Sequence, residues 1–258
     1  MKILFIGDIY GKPGRHIIRS KLPLIIKNKN IDLAIANCEN LASGRGVTKK
    51  TVRQVIDAGV EVFTSGNHLW DRKEGLDYLK KEKRIVKPLN IPGNTFGQEY
   101  YLYETDDNTK IAILTLAGQS FMGPADSPFF TLKKMLPKIR QITNNIIIDF
   151  HAESTAEKKS FGLFFDGKVS AILGTHTHVQ TADETILPNG TAYITDAGMT
   201  GSQHSVIGVK KEIIFEKITT GMPKRYEPGK IDLKIKGVIV DLDLKSGKAI
   251  KIKRLSEK

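Results

Sequence analysis

Short apolar runs recur along this chain, and each stops on residues that can bind a metal ion. Lys2–Gly7 runs into Asp8, Ile31–Ala36 into Asn37-Cys38-Glu39-Asn40, and Val60–Thr64 into Ser65-Gly66-Asn67-His68. Asn145–Phe150 leads to His151, and Val169–Leu173 leads to Gly174-Thr175-His176-Thr177-His178. Runs of this length and continuity read as strands buried on both faces. His68, His151, His176 and His178, four of the six histidines, therefore collect at strand ends.

The segments between these runs have helical character. Gly14–Lys27 carries Ile17, Ile18, Leu22 and Ile25 at helical spacing, and Pro23 predicts a kink or a break. Thr48 caps a helix over Lys49–Ala58 that closes at Gly59. Asp71 and Glu74 read as a capping box for a helix to about Lys81. Thr131–Gln141 reads as a helix containing Pro137, and Ser154 with Glu157 repeats the cap spacing before Phe161. Alternation of this kind predicts a parallel sheet with helices outside. The second half adds strands at Tyr100–Glu104, Lys110–Leu116, Thr191–Asp196, Gly208–Phe215 and Leu233–Leu244. Tyr100–Leu116 reads as a hairpin, and Lys245–Lys248 as a turn between the last strands. Two sheets packed together and covered by helices accommodate them all in one α/β domain over residues 1–258. Gly118–Ser127 and Thr219–Lys230 are the least regular stretches, candidate lids or surface loops.

Composition excludes several kinds of chemistry. With Cys38 as the one cysteine, a thiolate zinc or iron–sulfur centre is ruled out, and a reducing compartment is expected. No amino-terminal signal is visible and no apolar stretch approaches the ~20 residues of a membrane span, so the expected location is the cytoplasm, with no membrane partner. The net charge of +12 is spread over scattered lysines, so stable nucleic-acid binding is not expected. A positive surface still favours encounter with anionic substrates.

What remains is a cluster of oxygen and nitrogen donors. His176 and His178, at i and i+2 of an extended segment, would project to the same side. Asp8, Glu39, Asn40, Asn67, His151, His176 and His178 exceed what one ion needs, and Glu39 could bridge two. Mixed donors of this kind suit divalent first-row metals, and the spacing points to a two-metal hydrolytic centre.

Asp8, Gly66-Asn67-His68, His151 and Gly174-x-His176-x-His178 resemble, in order, the blocks of the calcineurin-like metallophosphoesterases. Two departures narrow the likeness: Tyr10 stands where the first block has histidine, and Glu39 where the second has a bridging aspartate. With Gly7–Gly14 and Thr195–Gly201, these changes are similar to the bacterial YmdB-type subfamily, described as 2′,3′-cyclic-nucleotide 2′-phosphodiesterases. The resemblance implies a four-layer αββα sandwich of two mixed sheets flanked by helices. It also implies two metal ions, one held by Asp8, Glu39, Asn40 and His178 and the other by Glu39, Asn67, His151 and His176. Asn40 would replace the donor lost at Tyr10, and the ligand set favours iron, with manganese as the alternative. The implied activity is hydrolysis of 2′,3′-cyclic nucleotides, with a metal-bridging hydroxide as nucleophile and His68 as general acid. Other phosphodiesters, including 3′,5′-cyclic nucleotides, are included in that expectation. Tyr10, Arg45, Thr200, Gly201 and His204 are candidate substrate contacts. The alternatives are a phosphomonoesterase or protein phosphatase on the same fold, or a regulatory partner of RNA metabolism with secondary catalysis. Homo-oligomerisation is left open.

Overall fold

The computed structural model describes residues 1–93 and 95–258. It begins with β1 (Lys2–Ile6), β2 (Asp8–Ile9), α1 (Gly11–Lys29), β3 (Leu33–Asn37), α2 (Lys49–Ile56), β4 (Val62–Thr64) and α3 (Lys73–Leu79). β5 (Tyr100–Glu104), β6 (Lys110–Ala117), α4 (Pro128–Arg140), β7 (Ile146–His151), α5 (Thr155–Phe164) and β8 (Ala171–Thr175) follow. Then come β9 (Thr185–Ile186), β10 (Ala192–Ile194), β11 (Met199–Ser202), α6 (Lys211–Thr220), β12 (Leu233–Asp243) and β13 (Lys248–Glu257).

These strands form two mixed sheets. The first has the order β2-β11-β12-β1-β3-β4, with β13 added to β12. Its β1, β3 and β4 are parallel, while β12 runs antiparallel to β1 with Lys2 opposite Asp241. The second has the order β5-β6-β7-β8-β10-β9, parallel through the middle and antiparallel at both edges.

Side-chain alternation along each strand builds the layers. In β1, Ile3 and Phe5 enter the core between the sheets, whereas Leu4 and Ile6 join the core shared with α1 and α2. In β6, Ile111 and Ile113 face the same central core, while Ala112, Leu114 and Leu116 meet Leu132, Leu136 and Ile139 of α4. The result is helix, sheet, sheet, helix. Each fully buried Ile, Leu or Phe contributes about 1.5–3 kcal/mol.

Several local expectations are corrected. Gly208–Phe215 is not a strand, because α6 occupies Lys211–Thr220 and ends at Gly221 in the left-handed region. Ile213 and Ile214 both pack against Tyr10, Met199 and Val209, which a strand would have placed on opposite faces. Pro23 does not interrupt α1, nor Pro137 α4. Both prolines are exposed, as are Arg19 and Lys133 four residues earlier, so water can satisfy the carbonyls they release. Asp71 does not cap α3, whose N-cap is Arg72 without a side-chain hydrogen bond. Thr48 does cap α2, by a reciprocal capping box with Thr51.

Candidate metal centre

The carboxyl ends of β3 and β4 in one sheet meet those of β7 and β8 in the other, and hydrogen bonds cross between them. Asn37 Nδ2 donates to Asp149 Oδ2 at 2.9 Å, and the His176 N–H donates to Asp8 Oδ2 at 3.2 Å.

Proton assignments follow from the partners. His151 Nδ1 lies 2.8 Å from Thr175 Oγ1, whose own hydroxyl donates to Asp149 Oδ1 at 2.5 Å. The hydroxyl proton is thus committed, so in the neutral ring Nδ1 carries the proton and Nε2 presents a lone pair. Three other donor atoms face that lone pair: Asn67 Oδ1 at 3.1 Å, His176 Nδ1 at 3.1 Å and Glu39 Oε1 at 3.4 Å. His176 keeps its proton on Nε2, 3.2 Å from Glu153 Oε2. Four lone pairs directed at one point cannot satisfy one another, whereas a cation satisfies all of them. Ligating atoms of Glu39, His151 and His176 all lie within 4.8 Å of one another.

A second set lies alongside. Asp8 Oδ1 and Asn40 Oδ1 are buried and have no hydrogen-bond partner among the described residues. Asn40 Nδ2 donates to Gly44 O at 3.0 Å, which fixes the amide. His178 Nδ1 donates to Ile207 O at 2.9 Å, so the Nε2 lone pair, 3.9 Å from Asp8 Oδ1, is the free one. Glu39 stands between the sets, with Oε1 near His151 and Oε2 accepting the His68 N–H at 2.9 Å. Orphaned buried oxygens are costly, and a carboxylate, an amide and an imidazole of this kind are donors that fit a bound cation.

The electrostatics agree. Burial pushes the Asp8 carboxyl up, with His178 and His151 opposing it. Burial also works against charge on Glu39, yet His151 and His68 outweigh it and hold the carboxyl below its usual range. Burial disfavours a charged His151, but Glu39 and Asp8 raise its pKa to about 9. Burial and His151 together lower His176 to about 3. Without an ion the Glu39 and Asp8 carboxylates thus draw a second proton onto His151, at the Nε2 that would otherwise hold a cation, so proton and metal compete for one position.

The two histidines of the Gly-x-His-x-His string do not lie on an extended strand. β8 stops at Thr175, and His176 and His178 have φ of 98° and 65°. A looped, left-handed backbone turns the rings inward, and such strain concentrates at functional sites. The loop is held from beneath by Lys158, buried in α5, whose Nζ donates to Thr175 O at 2.6 Å and Asp196 Oδ2 at 2.7 Å. Asp196 Oδ2 also accepts from the Thr177 N–H at 3.1 Å and its hydroxyl at 2.9 Å. Gly66 is equally constrained: a Cβ there would lie 2.2 Å from His151 Nε2 and 2.4 Å from Glu39 Oε2. Gly66→Ala should therefore weaken metal retention by roughly 10–100-fold without unfolding the protein. Titration with a chelator and a circular dichroism spectrum would check this, and unchanged retention would count against the donor placement.

A cavity of about 350 Å³ opens over the donors, lined by Glu39, Asn40, His68, Glu153, His176 and His178. Tyr10 and Arg45 line it too, as do Ile207, Val209 and Tyr226. His68 Nδ1 lies 2.9 Å from Asp71 Oδ2, the residue read from sequence as a helix cap. Thr200, Gly201 and His204 are not in the lining. Thr200 Oγ1 is engaged with Lys236 O and N at 3.2 and 3.1 Å, Gly201 pairs with Lys234 in the sheet, and His204 Nε2 is 2.7 Å from Lys211 Nζ. Sequence reasoning missed Glu153, Asp71 as the partner of His68, and Tyr226. Glu153, two residues after His151, and Asp71, three after His68, carried a local signal, whereas Tyr226 did not.

Comparison with known proteins extends this picture. Residues 4–255 match the family described as YmdB-like protein. A 2′,3′-cyclic-nucleotide 2′-phosphodiesterase of Bacillus subtilis is 40% identical over 255 residues, covering 99% of this chain and 96% of that protein. The crystal structure of a novel phosphatase from Mycoplasma pneumoniae superposes with a TM-score of 0.93 at 37% identity, covering 100% of this chain and 94% of that one. That of a hypothetical protein from Thermus thermophilus gives 0.92 at 36% identity, covering both chains fully.

Proposed function

The chain belongs to the YmdB-like protein family, and from that membership we propose that it is a metal-dependent phosphodiesterase opening 2′,3′-cyclic nucleotides at the 2′ P–O bond. The observation that carries this reading is the convergence of Asn67, His176 and Glu39 on the His151 Nε2 lone pair. Asp8, Glu39, Asn40 and His178 would hold one ion, and Glu39, Asn67, His151 and His176 a second, with iron or manganese the fitting metals. When bound, such ions supply Lewis acidity and a water acidic enough to act as nucleophile near neutral pH.

The side chains supply the rest. His68 lines the cavity and contacts Glu39 only through its backbone N–H, which leaves its ring free to act on substrate. Asp71 accepts its Nδ1 proton and fixes the ring orientation, so a proton on Nε2 can pass to the leaving 2′ oxygen. The Arg45 guanidinium, exposed at the cavity edge, offers charge to the phosphate. Glu153 holds the His176 tautomer. In-line displacement expels only the oxygen opposite the nucleophile, so a ribose held in one orientation yields one product. The reading places the enzyme in the cytoplasm, acting as a single domain. Its single free cysteine, Cys38, is buried beside Glu39, and among the described residues no helix is long and apolar enough to cross a membrane.

The test joins elemental analysis to product chromatography. Replete protein should carry about two ions per chain, and 2′,3′-cyclic AMP should give 3′-AMP as the dominant product. Full activity with one ion would refute the two-metal arrangement. Turnover of phosphomonoesters with the cyclic substrate untouched would replace the function with that of a phosphatase.

A further inference from the structure

The cavity over the donors has two chemically different sides. Its floor is carboxylate, amide and imidazole, whereas one wall is formed by Ile207, Val209 and the ring of Tyr226. We propose that Tyr226, with Ile207 lining the same cavity, is the platform on which the nucleobase of the substrate stacks. The proposal rests on the cyclic-nucleotide reading above and adds what recognises the base.

The wall leaves apolar surface in water where it has no structural use. Tyr226 is 38% exposed and Ile207 54% exposed, at the mouth of a polar site. Tyr10, the other tyrosine in the lining, is already committed. It is 8% exposed, its ring is packed so closely that a Cβ on Gly208 would lie 2.6 Å from it, and it meets the His178 ring edge-on at 5.7 Å. Tyr226 is thus the aromatic side chain of the wall with surface to offer.

The platform is also pre-formed. The segment bearing Tyr226 is laced to the one bearing Ile207: the Lys210 N–H donates to Glu227 O at 2.9 Å, and the Gly229 N–H to Gly208 O at 2.8 Å. Lys210 Nζ adds an ion pair to Glu227 at 2.8 Å. The Tyr226 hydroxyl is bound by Lys217, whose ammonium sits 4.8 Å from the ring centroid. A ring fixed before binding costs little entropy to use. A nucleotide matches this division, with an anionic phosphate for the floor and Arg45 and a flat π face for the wall. Stacking of this kind tolerates any base, since every base has such a face.

The experiment compares 2′,3′-cyclic AMP with 1-O-methylribose 2′,3′-cyclic phosphate, which keeps the reacting ring and lacks the base. Tyr226→Ala should raise KM for the nucleotide about tenfold or more, leave kcat unchanged and leave the base-free substrate unaffected. Tyr226→Phe, which keeps the ring but loses the hydroxyl held by Lys217, should recover most of that loss. Equal losses on both substrates would make Tyr226 a structural part of the wall and overturn the platform while leaving the cyclic-nucleotide reading intact. Wild-type protein that cleaves neither substrate would overturn that reading and the platform with it.

Discussion

Replacing His68 with alanine should lower kcat on 2′,3′-cyclic AMP by roughly 10²–10⁴-fold, the usual contribution of a positioned general acid. Metal content should hold, because the contact from His68 to Glu39 is made by the backbone N–H, which alanine retains. The loss should shrink on a nitrophenyl ester, whose leaving group departs without a proton. Asp71→Asn should reproduce part of the defect, since it weakens the acceptor that orients the ring through Nδ1. Steady-state kinetics on both substrates, with metal analysis of each variant, decide the matter. A loss of ions, or an equal loss on both substrates, would remove His68 from the role of proton donor.

Lys158→Met should destabilise the protein strongly, by about 3–5 kcal/mol. The side chain is 1% exposed and its partner Asp196 fully buried, and methionine keeps the apolar stem while removing the charge. Asp196 would be left as a buried carboxylate holding only the Thr177 and Gly198 donors. The effect should reach function as well, because the same ammonium anchors Thr175 O at the base of the loop that aims His176 and His178. Denaturant unfolding of the variant would measure the cost. A second variant, Lys158→Met with Asp196→Asn, should recover part of it by removing the stranded charge. A loss below about 1 kcal/mol would mean the pair is dispensable.

What the sequence made legible was whatever is encoded locally. Apolar runs ending in Asp8, Glu39, Asn67 and His151 identify strands and their polar ends together, because burial and termination are both written in adjacent residues. Side-chain parity then places Ile3 and Phe5 on one face and Leu4 and Ile6 on the other. The partners that tune these groups were not legible. Ile207 O sets the His178 tautomer from another loop, and Tyr226 reaches the cavity from a segment with no regular structure. Thr200 and Gly201 looked like substrate contacts because small and hydroxyl residues suit that task, but their strand position commits them to Lys236 and Lys234. His176 and His178 were found for a reason that does not hold. Their shared direction comes from a left-handed turn beyond β8, and not from strand alternation.

The pairing of β1 with β12 bears on how the protein is made. β1 leaves the ribosome well before β12, the strand that covers one of its edges, which comes more than two hundred residues later with Asp241 opposite Lys2. β3 protects the other edge early. Throughout translation of the second sheet, a strand apolar from Ile3 to Ile6 therefore exposes an open ladder of backbone donors and acceptors, the surface that recruits stray strands. Synthesis of this protein has a vulnerable interval that ends only when β12 docks, and chaperone demand during that interval should scale with elongation time.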